Sequence, residues 1–246
     1  MDFVVASSRG GGLKPHLPRG TTVDVNPGAE LHKLKDRAVK LISPPNRPYK
    51  PHVYFIGGVP DISELVKSES RSFRYREVIY VEKCEDTIER VKKNIMICQS
   101  SVVRNGAVPI FCTIPKYNLA LYNNSLLQNQ KTTCLLHSEH YQDMQERMDS
   151  TIDSVNDFII RTNARNNVHT PCLHTSIKRR RGRAGHGYYV YLWHLLKDGL
   201  HAGDYLLTEW AKALKAAIRK NRSDDSDEEN RSPKRSWRSE KRQRTV

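Results

Sequence analysis

The chain has 246 residues, of which 37% are hydrophobic, and it carries a formal net charge of +14 at pH 7. This length suits one large domain with a sizeable core, or at most two small ones. No stretch reaches the roughly 18 apolar residues that a membrane-spanning helix needs, and no secretory signal pattern is visible, so we expect no membrane partner.

Charge and cysteine content indicate the setting of the protein. The five cysteines are odd in number and widely spaced, which favours reduced thiols and an intracellular location, cytoplasmic or nuclear. The excess of Lys and Arg favours polyanionic partners, most obviously nucleic acid. The positive charge is concentrated in two blocks, at 178–183 and 231–244.

Strand and helix patterns alternate along the first half of the chain. Short apolar runs predict strands at 3–6, 22–25, 52–56, 78–81 and 107–114. Apolar residues spaced by three or four predict helices at 30–42 and 85–103. Strands that alternate with helices at this spacing form mainly parallel sheets, so the fold class is α/β.

The second half begins with a predicted helix at 138–165. A loop-rich basic segment at 162–187 and an apolar, aromatic segment at 188–196 follow, and a final helix is predicted at 203–220. Beyond residue 220 the composition changes to Ser, Asp, Glu, Lys and Arg, which cannot bury enough surface to order itself. We therefore predict one domain over 1–220 and a disordered charged tail over 221–246.

Asp198-Gly199-Leu200-His201, directly before the final helix, is a candidate pair of catalytic residues. An Asp can orient an imidazole, and that imidazole can take a proton from a nucleophile elsewhere in the chain. An Asp and a His three residues apart are weak evidence alone, since such turns are common before helices.

Small and hydroxyl residues follow three predicted strands, namely Ser7-Ser8, Gly28 and Gly57-Gly58. The carboxyl ends of parallel strands share one edge of a sheet, where ligands collect. A serine at a strand-to-helix turn is exposed and has backbone N–H groups nearby that can stabilise an oxyanion. Each feature also has a simpler interpretation, as a flexible or phosphate-binding turn, a tight turn or a close backbone approach.

In order and spacing, four segments resemble the sequence blocks of the SGNH (GDSL-type) hydrolases. They are Val5-Ala6-Ser7-Ser8, Asn26-Pro27-Gly28-Ala29, Gly58-Val59-Pro60-Asp61 and Asp198-Gly199-Leu200-His201. The resemblance implies a flavodoxin-like three-layer α/β sandwich and a serine esterase that uses no cofactor or metal and acts on an ester or acylated substrate. It further implies that Ser8, His201 and Asp198 are catalytic and that Gly28 and Gly58 stand at the oxyanion. Such domains also occur in viruses and mobile elements.

Two departures from the family pattern bear on activity. Ala6 and Ser7 stand where the family has Gly and Asp, which leaves Ser7 as an alternative nucleophile. Pro60 stands at the position of an Asn whose amide donates to the oxyanion, and proline has no such donor. Asn26 could supply a substitute amide. A weakened esterase and a catalytically inactive module that binds RNA or DNA both fit this pattern.

The basic block predicts a nucleic-acid-binding surface, although charge runs are more often solvated loops. Its residues are Lys178, Arg179, Arg180, Arg181 and Arg183, and Tyr188, Tyr189 and Tyr191 follow closely. Arginines beside tyrosines suit phosphate contact combined with base stacking. The basic C-terminal segment resembles a nuclear localisation signal or a nucleic-acid-binding arm.

A zinc site is the third chemistry that the residues could suggest. Two groups of soft ligands exist, Cys134 with His137 and His140, and His169 with Cys172 and His174. They flank the predicted helix at 138–165, which would hold them roughly 40 Å apart. We therefore predict no metal site.

Overall fold

The computed structural model describes residues 1–43, 50–67, 78–82, 86–128, 138–182 and 187–231. Its central sheet has four parallel strands, β1 (Asp2–Ala6), β2 (Thr21–Val25), β3 (His52–Ile56) and β6 (Val108–Phe111). They lie in the order β2-β1-β3-β6. Every residue of β1 and β3 is buried, as expected for inner strands of a parallel sheet covered on both faces. The predicted parallel α/β architecture is confirmed.

Helices flank this sheet and supply most of the remaining core. They are α1 (Leu31–Ile42), α2 (Val59–Ile62), α3 (Thr87–Arg104), α4 (Leu119–Gln128), α5 (Ser138–Arg165) and α6 (Asp204–Arg231). Helix α3 packs against both α1 and α5, and its buried residues recur every three or four positions. Within the described ranges, no helix is both long and apolar enough to cross a membrane.

Two antiparallel strand pairs lie outside the central sheet. Strands β4 (Ser63–Lys67) and β5 (Val78–Glu82) pair with each other, so the strand predicted at 78–81 exists but has an antiparallel partner. Strands β7 (Lys178–Arg181) and β8 (Tyr188–Tyr191) form a second pair, within segments predicted as a basic loop and an apolar stretch. An apolar run indicates a strand, but the run does not identify its partner.

Helix α6 continues past the predicted boundary at residue 220. The Asn221 amide donates to the Tyr54 hydroxyl (3.2 Å) and accepts from the His169 backbone N–H (2.6 Å). Arg222 donates to the Asp2 carboxylate. These two residues therefore belong to the folded domain, while the part of the predicted tail at 232–246 lies outside the described residues.

The contact between Asp2 and Arg222 predicts a pH-dependent contribution to stability. Burial alone would raise the pKa of Asp2, but His52 and Arg222 outweigh it and hold that pKa below its ordinary value of 3.8. A lowered folded-state pKa stabilises the protein above the unfolded-state pKa, and this stabilisation is lost as the pH falls through the folded-state value. Asp2→Asn should therefore lower the free energy of unfolding by about 2 kcal/mol at pH 7.

Urea unfolding of the parent and the Asp2→Asn variant at decreasing pH checks this prediction. The difference in unfolding free energy should shrink once the pH falls below the ordinary Asp value of 3.8, because a protonated Asp2 resembles Asn. Asp36→Asn, at an exposed position on α1, is the control and should show no such trend. A difference for Asp2→Asn that is constant with pH would contradict the prediction.

Candidate active site

The turn Asp198-Gly199-Leu200-His201 precedes α6 and is docked against the start of α4. The Asn118 backbone N–H donates to the Gly199 carbonyl (2.8 Å). Gly199 has a φ of +85°, and a Cβ there would lie 2.5 Å from the Tyr122 backbone nitrogen. Only glycine combines this backbone conformation with such a close approach, so Gly199 sets the shape of the turn.

Asp198 orients the imidazole of His201 from within this turn. Its Oδ1 accepts the backbone N–H groups of Leu200 (3.0 Å) and His201 (2.7 Å), and its Oδ2 lies 2.7 Å from His201 Nδ1. Burial alone would raise the pKa of Asp198, but these hydrogen bonds outweigh it and lower the pKa to about 2. Asp198 is therefore ionised near neutral pH and holds the Nδ1 side of the ring.

Ser8 and Ser7 face different cavities. Ser8 opens a short 3-10 turn (Ser8–Gly10) after β1 and lines the same cleft as His201. Ser7 is only 1% exposed and lines a separate small cavity with Trp210. Its backbone N–H donates to the Ile56 carbonyl (2.9 Å). Of the two serines, Ser8 is therefore the one that lines the cleft with His201.

The cleft has a volume of about 370 Å³, near the lower end of the range for small-ligand pockets. It is lined by Ser8, Arg9, Gly28, Glu30, Val59, Pro60, Ser63, Glu64, Tyr122, Leu200 and His201. Two of these side chains are carboxylates. The Tyr122 ring meets the His201 ring edge-on at 6.3 Å, and burial, together with the charge of Asp198, raises the pKa of its phenol. Tyr122 is therefore a neutral wall of the cleft at physiological pH.

Arg9 connects the Ser8 turn with the Asp198–His201 turn. It is only 4% exposed, and its guanidinium donates to the carbonyls of Leu200 (3.0 Å), Pro115 (2.6 Å) and Lys116 (3.5 Å). The guanidinium also lies over the Tyr117 ring at 5.2 Å, a cation–π contact. These bonds hold the residue beside Ser8 against the residue beside His201.

The fold that carries this geometry has solved counterparts, although no protein-family model and no curated protein matches the chain. A GDSL-like lipase from Bacteroides thetaiotaomicron VPI-5482 aligns with a TM-score of 0.54 and 12% identity, over 91% of this chain and 88% of that one. A member of the lipolytic G-D-S-L family from Veillonella parvula DSM 2008 aligns with a TM-score of 0.55 and 9% identity, over 89% and 98% of the two chains. A candidate acylhydrolase from Bacteroides fragilis NCTC 9343 aligns with a TM-score of 0.55 and 15% identity, over 89% of this chain and 86% of that one.

The chain has the fold of the SGNH hydrolases. The resemblance seen in the four sequence blocks is thereby confirmed at the level of fold. In this SGNH fold, Ser8, Gly28 and His201 come together at one cleft from distant parts of the sequence, with Asp198 behind His201.

The predicted oxyanion residues differ in their positions in this SGNH fold. Gly28 is exposed, lines the cleft and has a left-handed φ of +71°. Gly58 is buried at the start of α2 with a φ of +100°, and a Cβ there would lie 2.5 Å from Ile114 Cδ1. In the described part of the chain, the residues that line the cleft include neither Gly58 nor Asn26.

Pro60 and Asp61, in the third block, have separate roles. Pro60 lies in the first turn of α2, where a missing N–H is tolerated, and lines the cleft. Asp61 is buried and accepts from the Leu31 backbone N–H (2.9 Å) and from the Asn94 amide (3.0 Å). A carboxylate at the first residue of α1 stabilises that helix end.

Sequence reasoning assigned no role to Arg9, Asp61 or Tyr122. Asp61 is the last residue of the third sequence block, and this position is the signal that could have indicated a role. A lone Arg after a strand and a Tyr on α4 carry no local pattern, because their roles depend on contacts with distant segments. The basic residues Lys178, Arg179, Arg180 and Arg181 lie on β7 rather than in the cleft, and Arg183 lies outside the described residues.

Within the described ranges, no group of three or more metal-binding side chains is close enough together to hold an ion. Cys134 and His137 lie outside those ranges. The His174 ring Nδ1 lies 2.9 Å from the Thr113 hydroxyl, and the Cys172 thiol contacts the Thr170 carbonyl at 3.6 Å.

Proposed function

We propose that the protein is a serine esterase-type hydrolase that acts on the ester bond of an acylated substrate. One observation carries the proposal. His201 is oriented by Asp198 at 2.7 Å and lines one cleft with Ser8, within an SGNH fold. Nucleophile, base and orienting carboxylate are the residue types that hydrolysis by acyl transfer requires.

In the proposed mechanism, His201 Nδ1–H donates a hydrogen bond to Asp198 Oδ2, which keeps the proton on Nδ1 and leaves Nε2 as the acceptor. Nε2 takes the proton of the Ser8 hydroxyl as its oxygen bonds to the substrate carbonyl carbon, and then gives that proton to the departing alcohol. A water molecule repeats these steps against the acyl-enzyme and releases the acid.

Backbone N–H groups of Ser8 and Gly28 would stabilise the oxyanion in this mechanism. Both residues line the cleft. Gly58 would also contribute to the oxyanion site. It begins the turn that places Val59 and Pro60 in the cleft. With a prolyl ring in place of an amide donor, the oxyanion site is weaker than that of an SGNH enzyme with Asn at this position.

The cleft's dimensions and charge support a small substrate. Its volume of about 370 Å³ suits a short acyl group rather than a long acyl chain. The carboxylates of Glu30 and Glu64 at its wall favour a neutral or cationic ester over an anionic one.

Covalent labelling by a fluorophosphonate probe tests the proposal. The parent protein should be labelled, and both Ser8→Ala and His201→Ala should abolish labelling because the nucleophile or its base is lost. Ser7→Ala is the matched control and should keep the label, since Ser7 lies outside the cleft. Labelling that survives Ser8→Ala would refute the assignment.

The alternative is a catalytically inactive SGNH-like module that binds RNA or DNA through basic surfaces. Pro60 in the cleft favours this reading, because it removes a donor that turnover uses. The two candidates differ in the labelling experiment, since an inactive module leaves the parent protein unlabelled.

A further inference from the structure

The β7–β8 hairpin combines a packed root with an exposed tip. At the root, Tyr191 stacks on Trp193 with ring centroids 4.8 Å apart, and Lys116 Nζ lies 5.2 Å from the centre of the Tyr191 ring. At the tip, Arg180 pairs with Tyr189 and Arg181 with Tyr188. All four tip residues are exposed.

Because adjacent residues on a strand point to opposite faces, both faces of the tip present one arginine and one tyrosine. The exposed fractions of Tyr188 and Tyr189 are 62% and 61%. An aromatic ring is therefore exposed to solvent on each face of the tip.

The tip also carries positive charge that no described acidic side chain neutralises. In the part of the chain that the structure describes, no acidic side chain forms an ion pair with Arg179, Arg180 or Arg181. Lys178 Nζ lies 5.1 Å from the centre of the Tyr189 ring. This cation–π contact is on the face that carries Arg180 and Tyr189.

We propose that the β7–β8 hairpin is a binding site for single-stranded nucleic acid. Arginines and Lys178 contact the phosphates, while the rings of Tyr188 and Tyr189 stack on unpaired bases. The proposal does not depend on hydrolysis, because none of these residues lines the cleft.

The arrangement of the rings decides between this ligand and two others. In a duplex the bases are already stacked on each other, and exposed tyrosine rings gain no stacking surface there. A flat anionic membrane can receive aromatic side chains from one face of a ribbon, whereas Tyr188 and Tyr189 point to opposite faces. A flexible single strand can place one unpaired base on Tyr188 and another on Tyr189, although the two rings lie on opposite faces.

Fluorescence anisotropy of labelled oligo(dU) and oligo(U), which differ only in the 2′-hydroxyl group, tests the proposal when each is titrated with the full chain. At least one should bind, and the tighter one identifies the sugar of the ligand. Replacing both tyrosines with Ala should weaken binding about tenfold or more, since stacking on each base contributes substantially. Replacing both with Phe is the matched control, because it keeps the rings, and should leave affinity within about twofold.

A second pair of variants tests the contribution of charge. Arg180→Gln with Arg181→Gln should weaken binding and reduce the slope of log affinity against log salt by about 0.7 per arginine. Lys33→Gln with Lys40→Gln removes the same charge from exposed positions on α1. This control should change neither the affinity nor its dependence on salt. Ser8→Ala should bind as the parent does, which separates this test from that of the hydrolase.

Three results would overturn the proposal. These are failure to bind either oligonucleotide, equal or tighter binding of a duplex or of vesicles containing an anionic lipid, and unchanged affinity in the Tyr-to-Ala pair. The side chains substituted on the hairpin and on α1 are exposed, so the thermal unfolding midpoints of these variants should match that of the parent. A comparison of those midpoints excludes misfolding as the cause of lost binding.

Discussion

Asp198→Asn is expected to lower kcat for hydrolysis of a short-chain aryl ester by about 10⁴. The two backbone N–H groups that donate to Asp198 Oδ1 would hold the amide oxygen of the Asn in the same place. The amide NH₂ would then face His201 Nδ1 and force the ring proton onto Nε2. In that tautomer His201 cannot accept the proton of Ser8.

Initial rates with a p-nitrophenyl acetate substrate measure this loss. Because Asp198 has a pKa of about 2, its ionisation should not limit the parent rate anywhere near neutral pH. Asp204→Asn, at an exposed acid in the first turn of α6, is the matched control and should retain parent activity. A loss of less than about tenfold in Asp198→Asn would contradict the proposed triad.

Pro60→Asn is expected to raise kcat by about 10²–10³, the reverse of the usual cost of deleting an oxyanion donor. Pro60 lines the cleft and lies in the first turn of α2, where Asn is well tolerated. The substitution introduces the side-chain amide that the SGNH sequence pattern has at this position. It should act on kcat more than on KM, because the charge it stabilises develops in the transition state.

The same ester assay, together with two further variants, identifies the cause of any gain. Pro60→Ala removes the ring without adding a donor and should leave the rate near that of the parent. Adding Ser8→Ala to Pro60→Asn should remove the gain entirely. An equal gain in Pro60→Ala would show that the ring merely obstructs the cleft, and no gain in Pro60→Asn would place the oxyanion elsewhere.

Features set by short stretches of sequence were predictable. Strands β1 and β3 are buried apolar runs, and the turn of Asp198 and His201 is a contiguous motif with a required glycine. The edge of the sheet at which Ser8 and Gly28 meet His201 followed from the parallel topology. The convergence of Ser8, Gly28 and His201 on one cleft was therefore predictable, while their catalytic roles stay a prediction.

Features set by distant contacts were not predictable. Strand β4 and the antiparallel pairing of β5 depend on a partner that periodicity does not reveal. A run of Lys and Arg suggested a loop, yet cross-strand tyrosines make it strand β7. Helix α6 continues past residue 220, where Asn221 and Arg222 contact Tyr54 and Asp2, which lie 167 and 220 positions earlier in the chain.

The contact made by Arg9 shows how far apart in time the two halves of the candidate site are synthesised. Its bond to the Leu200 carbonyl joins residues 191 positions apart in the chain, and His201 follows directly. A ribosome that has made the first strands and Ser8 has produced a nascent chain that lacks the proposed base until His201 has been added. In the proposed mechanism, a chain that stops before residue 201 would therefore carry Ser8 but lack the base.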